Sequence, residues 1–112
     1  MGVLRKIFAK KRKPGTPAYR LEFANSLHGL AIRYVTERRD GQDEVIGRGG
    51  SLSVRGDEFL VFSSSDVIFR ARVSELDASN LLSGDGVVLT APNLEDGGKV
   101  HSVIAYFVYH RK

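Results

Sequence analysis

Residues 29–54 read GLAIRYVTERRDGQDEVIGRGGSLSV, and this stretch decides the fold class. Before the Asp-Gly pair at 40–41, apolar residues alternate with polar ones, as is typical of a strand with one buried face. We therefore predict a first strand that places Leu30, Ile32 and Tyr34 on one face. The Asp-Gly pair predicts the tight turn that ends it.

A second strand is predicted from Glu44 to Arg55, and three glycines interrupt it. Gly47, Gly49 and Gly50 lie where the alternation should continue. Glycines inside a strand usually mark bulges or sharp bends. The pattern therefore favours a small sheet that curls on itself into a barrel or roll.

Two further strands are predicted in EFLVFSSSDVIFRARV, residues 58–73, on either side of a Ser-Ser-Ser-Asp connection. Arg55-Gly56-Asp57 before them has the composition of a hairpin turn. The period of two continues through both strands. The predicted inward-facing residues are Phe59, Val61, Val67, Phe69, Ala71 and Val73.

The C-terminal part returns to strands after a short irregular segment. In residues 74–84, Ser74 could cap a helical turn and Gly84 could end it, so a brief helix or loop is expected. The Asp-Gly-Gly at 96–98 predicts a hairpin. The last strand is apolar on both faces, which predicts that it lies between neighbours or under another element.

Residues 16–29, TPAYRLEFANSLHG, carry two conflicting signals. Thr16 before a proline, with Gly29 at the end, is the punctuation of a helix. Tyr19, Leu21 and Phe23 alternate as in a strand. We favour the strand interpretation here.

The middle of the chain resembles a known family. The segment GRGGSLSVRGDEFLVFSSSDVIFRARVSEL, Gly47 to Leu76, is similar in its order of strands and turns to the middle of GRAM and pleckstrin-homology-like (PH-like) domains. The resemblance covers about thirty residues. It implies a small curled β-barrel used for binding, in a family with few enzymes. The chain departs from the pleckstrin-homology pattern in lacking an evident long C-terminal helix.

The first thirteen residues, MGVLRKIFAKKRK, differ in charge from the remainder. This segment, residues 1–13, is called the arm below, and residues 14–112 are predicted to form a single domain, the body. The arm holds six of the 17 basic residues and no acid, whereas 11 basic and 13 acidic residues follow it. The net charge of +4 therefore arises in the arm, and the body carries a formal charge of −2.

The arm is predicted to form a short amphipathic helix. On a helix, Val3, Leu4, Ile7 and Phe8 fall within an arc of about 140°, and the Pro-Gly pair at 14–15 would end it. Because so short a helix is marginal in water, it needs a surface, either a membrane or the core of its own domain. Anionic lipid headgroups would attract its cations. The candidate membrane contacts are Val3, Leu4, Arg5, Lys6, Ile7, Phe8, Lys10, Lys11, Arg12 and Lys13.

Location and partners follow from these features. The apolar pairs of the arm are split by Arg5 and Lys6, so a secretory signal is not expected, and the absence of cysteine fits a reducing compartment. We expect a cytoplasmic protein, peripheral at the membrane, whose partner is an anionic lipid surface or another protein. The alternative is a nucleic-acid-binding protein that uses the arm, although such domains usually spread basic residues over the fold itself.

Catalytic and metal-binding patterns are not found in the sequence. The serines at 63–65 lack the frame of a nucleophile elbow. His28, His101 and His110 are scattered, without the spacing of a metal site, and are expected to face solvent. We therefore expect a non-enzymatic binding or adaptor module without a cofactor, the alternative being a small enzyme with an unrecognised site.

Overall fold

The structure, a computed structural model, describes residues 16–108. Within these residues most of the chain is β-strand, which confirms the predicted class of a mainly β domain. The elements are α1 (Pro17–Leu27), β1 (Ala31–Arg39), β2 (Gln42–Arg55), β3 (Glu58–Ser63), β4 (Asp66–Arg72), a first 3-10 turn (Val73–Glu75), β5 (Asp77–Asn80), β6 (Gly86–Asn93), a second 3-10 turn (Leu94–Asp96) and β7 (Lys99–Phe107).

The strands form one antiparallel sheet in the order β4-β3-β2-β1-β7-β6-β5. Neighbours in the sheet are consecutive in the chain, except that β1 pairs with β7, with Ile32 opposite Phe107. The predicted connections at 40–41, 55–57, 63–66 and 96–98 all join antiparallel neighbours. The last strand lies between β1 and β6, as its apolar character predicted.

Residues 17–27 are helical, so the predicted strand in this segment is wrong. Thr16 caps the helix, because its hydroxyl accepts a hydrogen bond from the Tyr19 amide at 3.2 Å. Pro17 occupies the first turn, where a missing N–H does not matter. Ala24 and Leu27 are buried in the core. The capping signal was therefore the correct one, and the alternation of Tyr19 with its neighbours was incidental.

The face predicted for Tyr34 is also wrong. Between β1 and β7 the register shifts at Arg33, so Ile32 pairs with Phe107 but Tyr34 pairs with Tyr106. The extra residue turns the following side chains over. As a result Val35, rather than Tyr34, is fully buried in the core.

A second bulge moves Val67 away from the core face. The register between β3 and β4 shifts between Val61 and Phe62, which leaves Ile68 without a directly opposed residue. Ile68 packs against the core and Val67 is only partly buried. The other predicted inward residues are buried, namely Phe59, Val61, Phe69, Ala71 and Val73.

The segment after β4 contains a strand that the sequence analysis missed. Its 3-10 turn begins after Arg72 without a side-chain cap, so Ser74 is not a cap. Residues 77–80 then form β5, which pairs with β6 through Ala78 and Leu89. The polar sequence DASN gave no strand signal because its side chains lie at a sheet edge, where three of the four are exposed.

Two glycines of β2 lie where neighbouring strands approach closely, Gly50 against the backbone of β3 and Gly47 against side chains of β3 and β4. A Cβ on Gly50 would overlap the carbonyl oxygen of Phe62 on β3, and a Cβ on Gly47 would lie 2.8 Å from Ser63 and from Ile68. The sheet curls, which brings β4 towards β6. There the Arg70 amide donates to Asn93 Oδ1 at 3.1 Å. Within the described residues β4 and β6 share no ladder, so the sheet is curled but is not a closed barrel.

The core fills the inside of this curl. Its large side chains come from β1, β2, β3, β4, β6 and β7, and α1 adds Ala24 and Leu27 from one end. The largest fully buried side chains are Phe59, Phe69, Ile32, Leu52, Leu89, Val35, Val61, Val87 and Val103.

Replacing Gly50 with alanine tests whether β2 and β3 need a residue without a side chain at this position. The added methyl group would force β2 away from β3 at Phe62, so we expect the free energy of unfolding to fall by about 1–3 kcal/mol, the usual cost of overpacking. Urea denaturation measures the change. Ser51→Ala, one residue along the same strand, is the control and should cost clearly less. Equal stabilities of the wild type and Gly50→Ala would contradict the close-approach explanation.

Candidate functional site

The ten candidate membrane contacts from Val3 to Lys13 lie outside the described residues. The same is true of His110. The body nevertheless contains two features that can bind or respond to something: a groove beside α1, and a histidine held between two carboxylates.

The groove lies between α1 and the edge strand β5. It consists of two adjoining recesses of about 420 Å³ and 290 Å³, each within or near the size range of ligand pockets. Tyr19 and Phe23 line both recesses, and their rings meet edge to face with centroids 6.0 Å apart. The remaining lining residues are Arg20, Glu22, Ser26, Leu27, Leu76, Asp77, Ala78, Ser79 and Asn80.

Arg20 joins the two walls at one end of the groove. Its Nη1 donates to the carbonyl oxygen of Leu76 at 2.7 Å, and its Nη2 lies 3.0 Å from Asp77 Oδ1. The recess of about 290 Å³ lies at this end, since Arg20, Leu76 and Asp77 line it. The recess of about 420 Å³ lies farther along α1, beside Ser26 and Leu27. The helix is therefore fixed to the strand at its N-terminal end, and the groove runs along it from there.

The β5 wall is a sheet edge. Among residues 16–108, β5 pairs with β6 on one side and with no strand on the other. In a paired strand, alternate backbone groups point away from the partner. The groove therefore combines apolar side chains on its floor with backbone hydrogen-bonding groups on one wall.

The second feature, the carboxylate–histidine cluster, consists of Glu37, Asp96 and His101. The two ring nitrogens of His101 face different acids: Nδ1 faces Glu37 Oε2, and Nε2 lies 2.7 Å from Asp96 Oδ2. Glu37 is buried, and Arg39 Nη2 lies 3.0 Å from its other oxygen. Because both nitrogens meet acceptors, only the protonated imidazole can donate to both.

The pKa values of His101 and Asp96 shift accordingly. Burial is the largest single effect on His101 and lowers its pKa, but the hydrogen bonds and charges of Asp96 and Glu37 together outweigh it and raise the pKa above the ordinary value. The hydrogen bond from His101 in turn lowers the pKa of Asp96. The cluster therefore favours a charged histidine near neutral pH.

The position of His101 corrects the prediction that it faces solvent, whereas His28 is exposed, as predicted. His101 is mostly buried, with 18% of its side chain exposed. His28 Nδ1 accepts a hydrogen bond from the Val54 amide at 2.8 Å, next to the end of α1. Residues 16–108 contain no group of three or more histidine and acidic side chains arranged to hold a metal ion.

Comparison with known proteins finds no match: no family model, no curated protein and no solved structure is significantly similar to this chain. In the described part of the chain, no helix combines the length and the apolar character needed to cross a bilayer.

Sequence reasoning missed both features for different reasons. The groove depends on α1 and β5. The sequence instead predicts a strand in residues 16–29 and a brief helix or loop in residues 74–84. The cluster joins residues that are far apart in the chain, since Glu37 and His101 are 64 positions apart. The sequence indicated proximity for only one pair of the cluster, Asp96 and His101, which lie five positions apart across the predicted hairpin at 96–98.

The cluster predicts a specific dependence of stability on pH. Because the pKa of His101 is raised on folding, its contribution is complete below its unfolded pKa and is lost as the pH rises through the folded value. We therefore expect the stability difference between the wild type and His101→Gln to be largest near pH 5–6 and to shrink towards pH 9.

Urea denaturation at several pH values measures this difference. The matched control is Lys99→Gln, which removes an exposed cation next to the same hairpin. Its effect should stay nearly constant over the same range. A stability difference for His101→Gln that does not vary with pH would show that the imidazole is not held as a cation.

Proposed function

We propose that this chain is a non-enzymatic binding or adaptor module that attaches to anionic membrane surfaces through its arm. The observation that carries the proposal is the separation of charge between arm and body. Residues 16–108 contain nine basic and 13 acidic residues, whereas the arm contains six basic residues and no acid. The largest cluster of positive charge that could attract a negatively charged surface is therefore the arm.

The ion pairs of the body strengthen this argument. Of the nine basic side chains in residues 16–108, five already lie against acidic ones, so they offer little charge to an external phosphate. These are Arg20 with Asp77, Arg38 with Asp43, Arg39 with Glu37, Arg70 with Glu58 and Arg72 with Asp57.

The arm combines the two features that stable attachment to a membrane surface requires, clustered cations and apolar side chains. Each Lys or Arg near an anionic leaflet contributes about 1 kcal/mol, and the four apolar side chains of the predicted helix can enter the interface below the headgroups. One signal alone gives marginal binding, whereas a polybasic segment combined with an apolar insertion gives stable but salt-sensitive binding.

The chemistry of the described residues supports a non-enzymatic role. A general base needs a free ring nitrogen within reach of the proton that it removes. Both nitrogens of His101 are engaged by carboxylates, and Nδ1 of His28 is engaged by a backbone amide. These histidines are placed to hold the fold together.

A PH-like barrel is part of the same proposal. It is supported by the curled seven-stranded sheet, in which the first strand pairs with the last, and by the approach of β4 to β6 at Asn93. A helix covers one end of the curl, as α1, and it precedes the sheet in the chain. The resemblance between Gly47 and Leu76 implies a binding role for such a fold.

Vesicle binding by the full-length chain tests the proposal. We expect binding to phosphatidylcholine vesicles that contain phosphatidylserine, release as salt rises, and no binding to phosphatidylcholine alone. Phe8→Ala should weaken binding at least tenfold even at low salt, since fully burying such a side chain is worth on the order of 1.5–3 kcal/mol. Replacing Lys10, Lys11, Arg12 and Lys13 with glutamine should abolish it.

Leu82→Ala is the matched control, because Leu82 is a fully exposed apolar side chain on the body. It should leave vesicle binding unchanged. Duplex DNA at the same ionic strength serves as the competing ligand, since salt weakens both kinds of binding. Tighter binding to DNA than to anionic vesicles, with no effect of Phe8→Ala, would replace the membrane proposal with the nucleic-acid one.

A further inference from the structure

We propose that the groove between α1 and β5 is a docking site for the chain's own arm, and that groove and membrane compete for it. The occupant is residues 3–10 as the amphipathic helix expected from the sequence. The competition with lipid rests on the proposed function, whereas docking in the groove does not.

The position of the arm in the chain favours this occupant. The arm ends at Lys13, three residues before Thr16, which caps the helix that forms one wall of the groove. Tyr19, one turn later, lines both recesses. Residues 11–16 form the connection and include a proline and a glycine, and two to five residues suffice to join antiparallel helices. The arm can therefore fold back along α1.

The length of the arm matches the groove. A helix over residues 3–10 would be about 12 Å long. A four-residue strand such as β5 spans about 13 Å. A helix that runs back from Thr16 would lie along the whole of β5 without extending past it.

The chemistry of the groove also matches the arm. Its floor includes Leu27 and Leu76, which are buried, and the partly buried Phe23 and Ala78, so it can receive the apolar arc of the arm. Glu22 lies on the α1 wall and Asp77 on the β5 wall. The Asp77 side chain is 71% exposed although it pairs with Arg20. These acids flank the place where the cations of the arm would lie.

Competition follows from the use of the same side chains. Leu4, Ile7 and Phe8 cannot lie in the groove and among lipid chains at the same time. A segment that is held in the groove for part of the time binds a membrane with an affinity reduced in proportion. Anything that weakens docking in the groove should therefore strengthen attachment to vesicles.

Engineered disulfides in the full-length chain test the docking. The chain has no cysteine, so each pair reports one contact. Cysteine replaces Leu4, Ile7 or Phe8 in turn, together with Ala78→Cys on the groove floor. The control pairs Ile7→Cys with Ser65→Cys, which is exposed at the far end of the β3–β4 hairpin from α1. We expect at least one Ala78 pair to form its disulfide tenfold faster than the control.

Vesicles then connect the two states. Vesicles containing phosphatidylserine should slow formation of the Ala78 disulfide, and the oxidised protein should bind them at least tenfold more weakly than the reduced protein. A fast Ala78 disulfide in a chain that never binds vesicles would support docking and refute the proposed function. Equal rates for the Ala78 and Ser65 pairs would overturn the inference, and so would measurable vesicle binding that is equally strong for the oxidised and the reduced protein.

A second variant avoids any cysteine in the groove. Tyr19→Ser removes the ring shared by both recesses and leaves the arm intact. It should raise the affinity for anionic vesicles several-fold, because less of the arm is held in the groove. Unchanged or weaker vesicle binding by Tyr19→Ser would also overturn the competition.

Discussion

The close approach of β2 and β3 at Gly50 is the constraint on which the rest of the structure depends. Since a side chain there would overlap the Phe62 carbonyl oxygen, the two strands can approach this closely only because residue 50 has no side chain. The curl of the sheet brings β4 towards β6, where Asn93 Oδ1 accepts a hydrogen bond from the Arg70 amide. It also encloses a core with one open end, and α1 covers that end. The groove lies between α1 and β5, which Arg20 joins at one end.

The fold class could be predicted from sequence because strand period and turn chemistry are local. The Asp-Gly at 40–41 and the Asp-Gly-Gly at 96–98 mark real connections, and Phe59 and Phe69 face inward as their spacing predicts. Prediction failed where a local pattern was overridden. Bulges at Arg33 and Ile68 each shifted the alternation by one residue, and no composition marks these two positions.

The candidate sites were less predictable because each depends on tertiary placement. The groove requires knowing that Pro17–Leu27 is a helix and that polar residues 77–80 form an edge strand. His101 meets Glu37 only because β7 pairs with β1. The charge of the arm, by contrast, was visible at once, because it is a property of composition. The sequence therefore indicated what could attach the chain to a surface, but not where on the body the same segment could dock.

The pairing of β1 with β7 also bears on how the chain folds. Five of the six ladders join consecutive strands, and these can form as local hairpins. The sixth brings Ile32 next to Phe107, 75 positions away, and so closes a loop that spans most of the domain. Closing this loop costs conformational entropy before the contact adds any stability, so pairings of this kind form slowly. The core cannot close until β1 and β7 pair, so this step is expected to set the folding rate. A chain interrupted before β7 would expose the inner face of its first four strands.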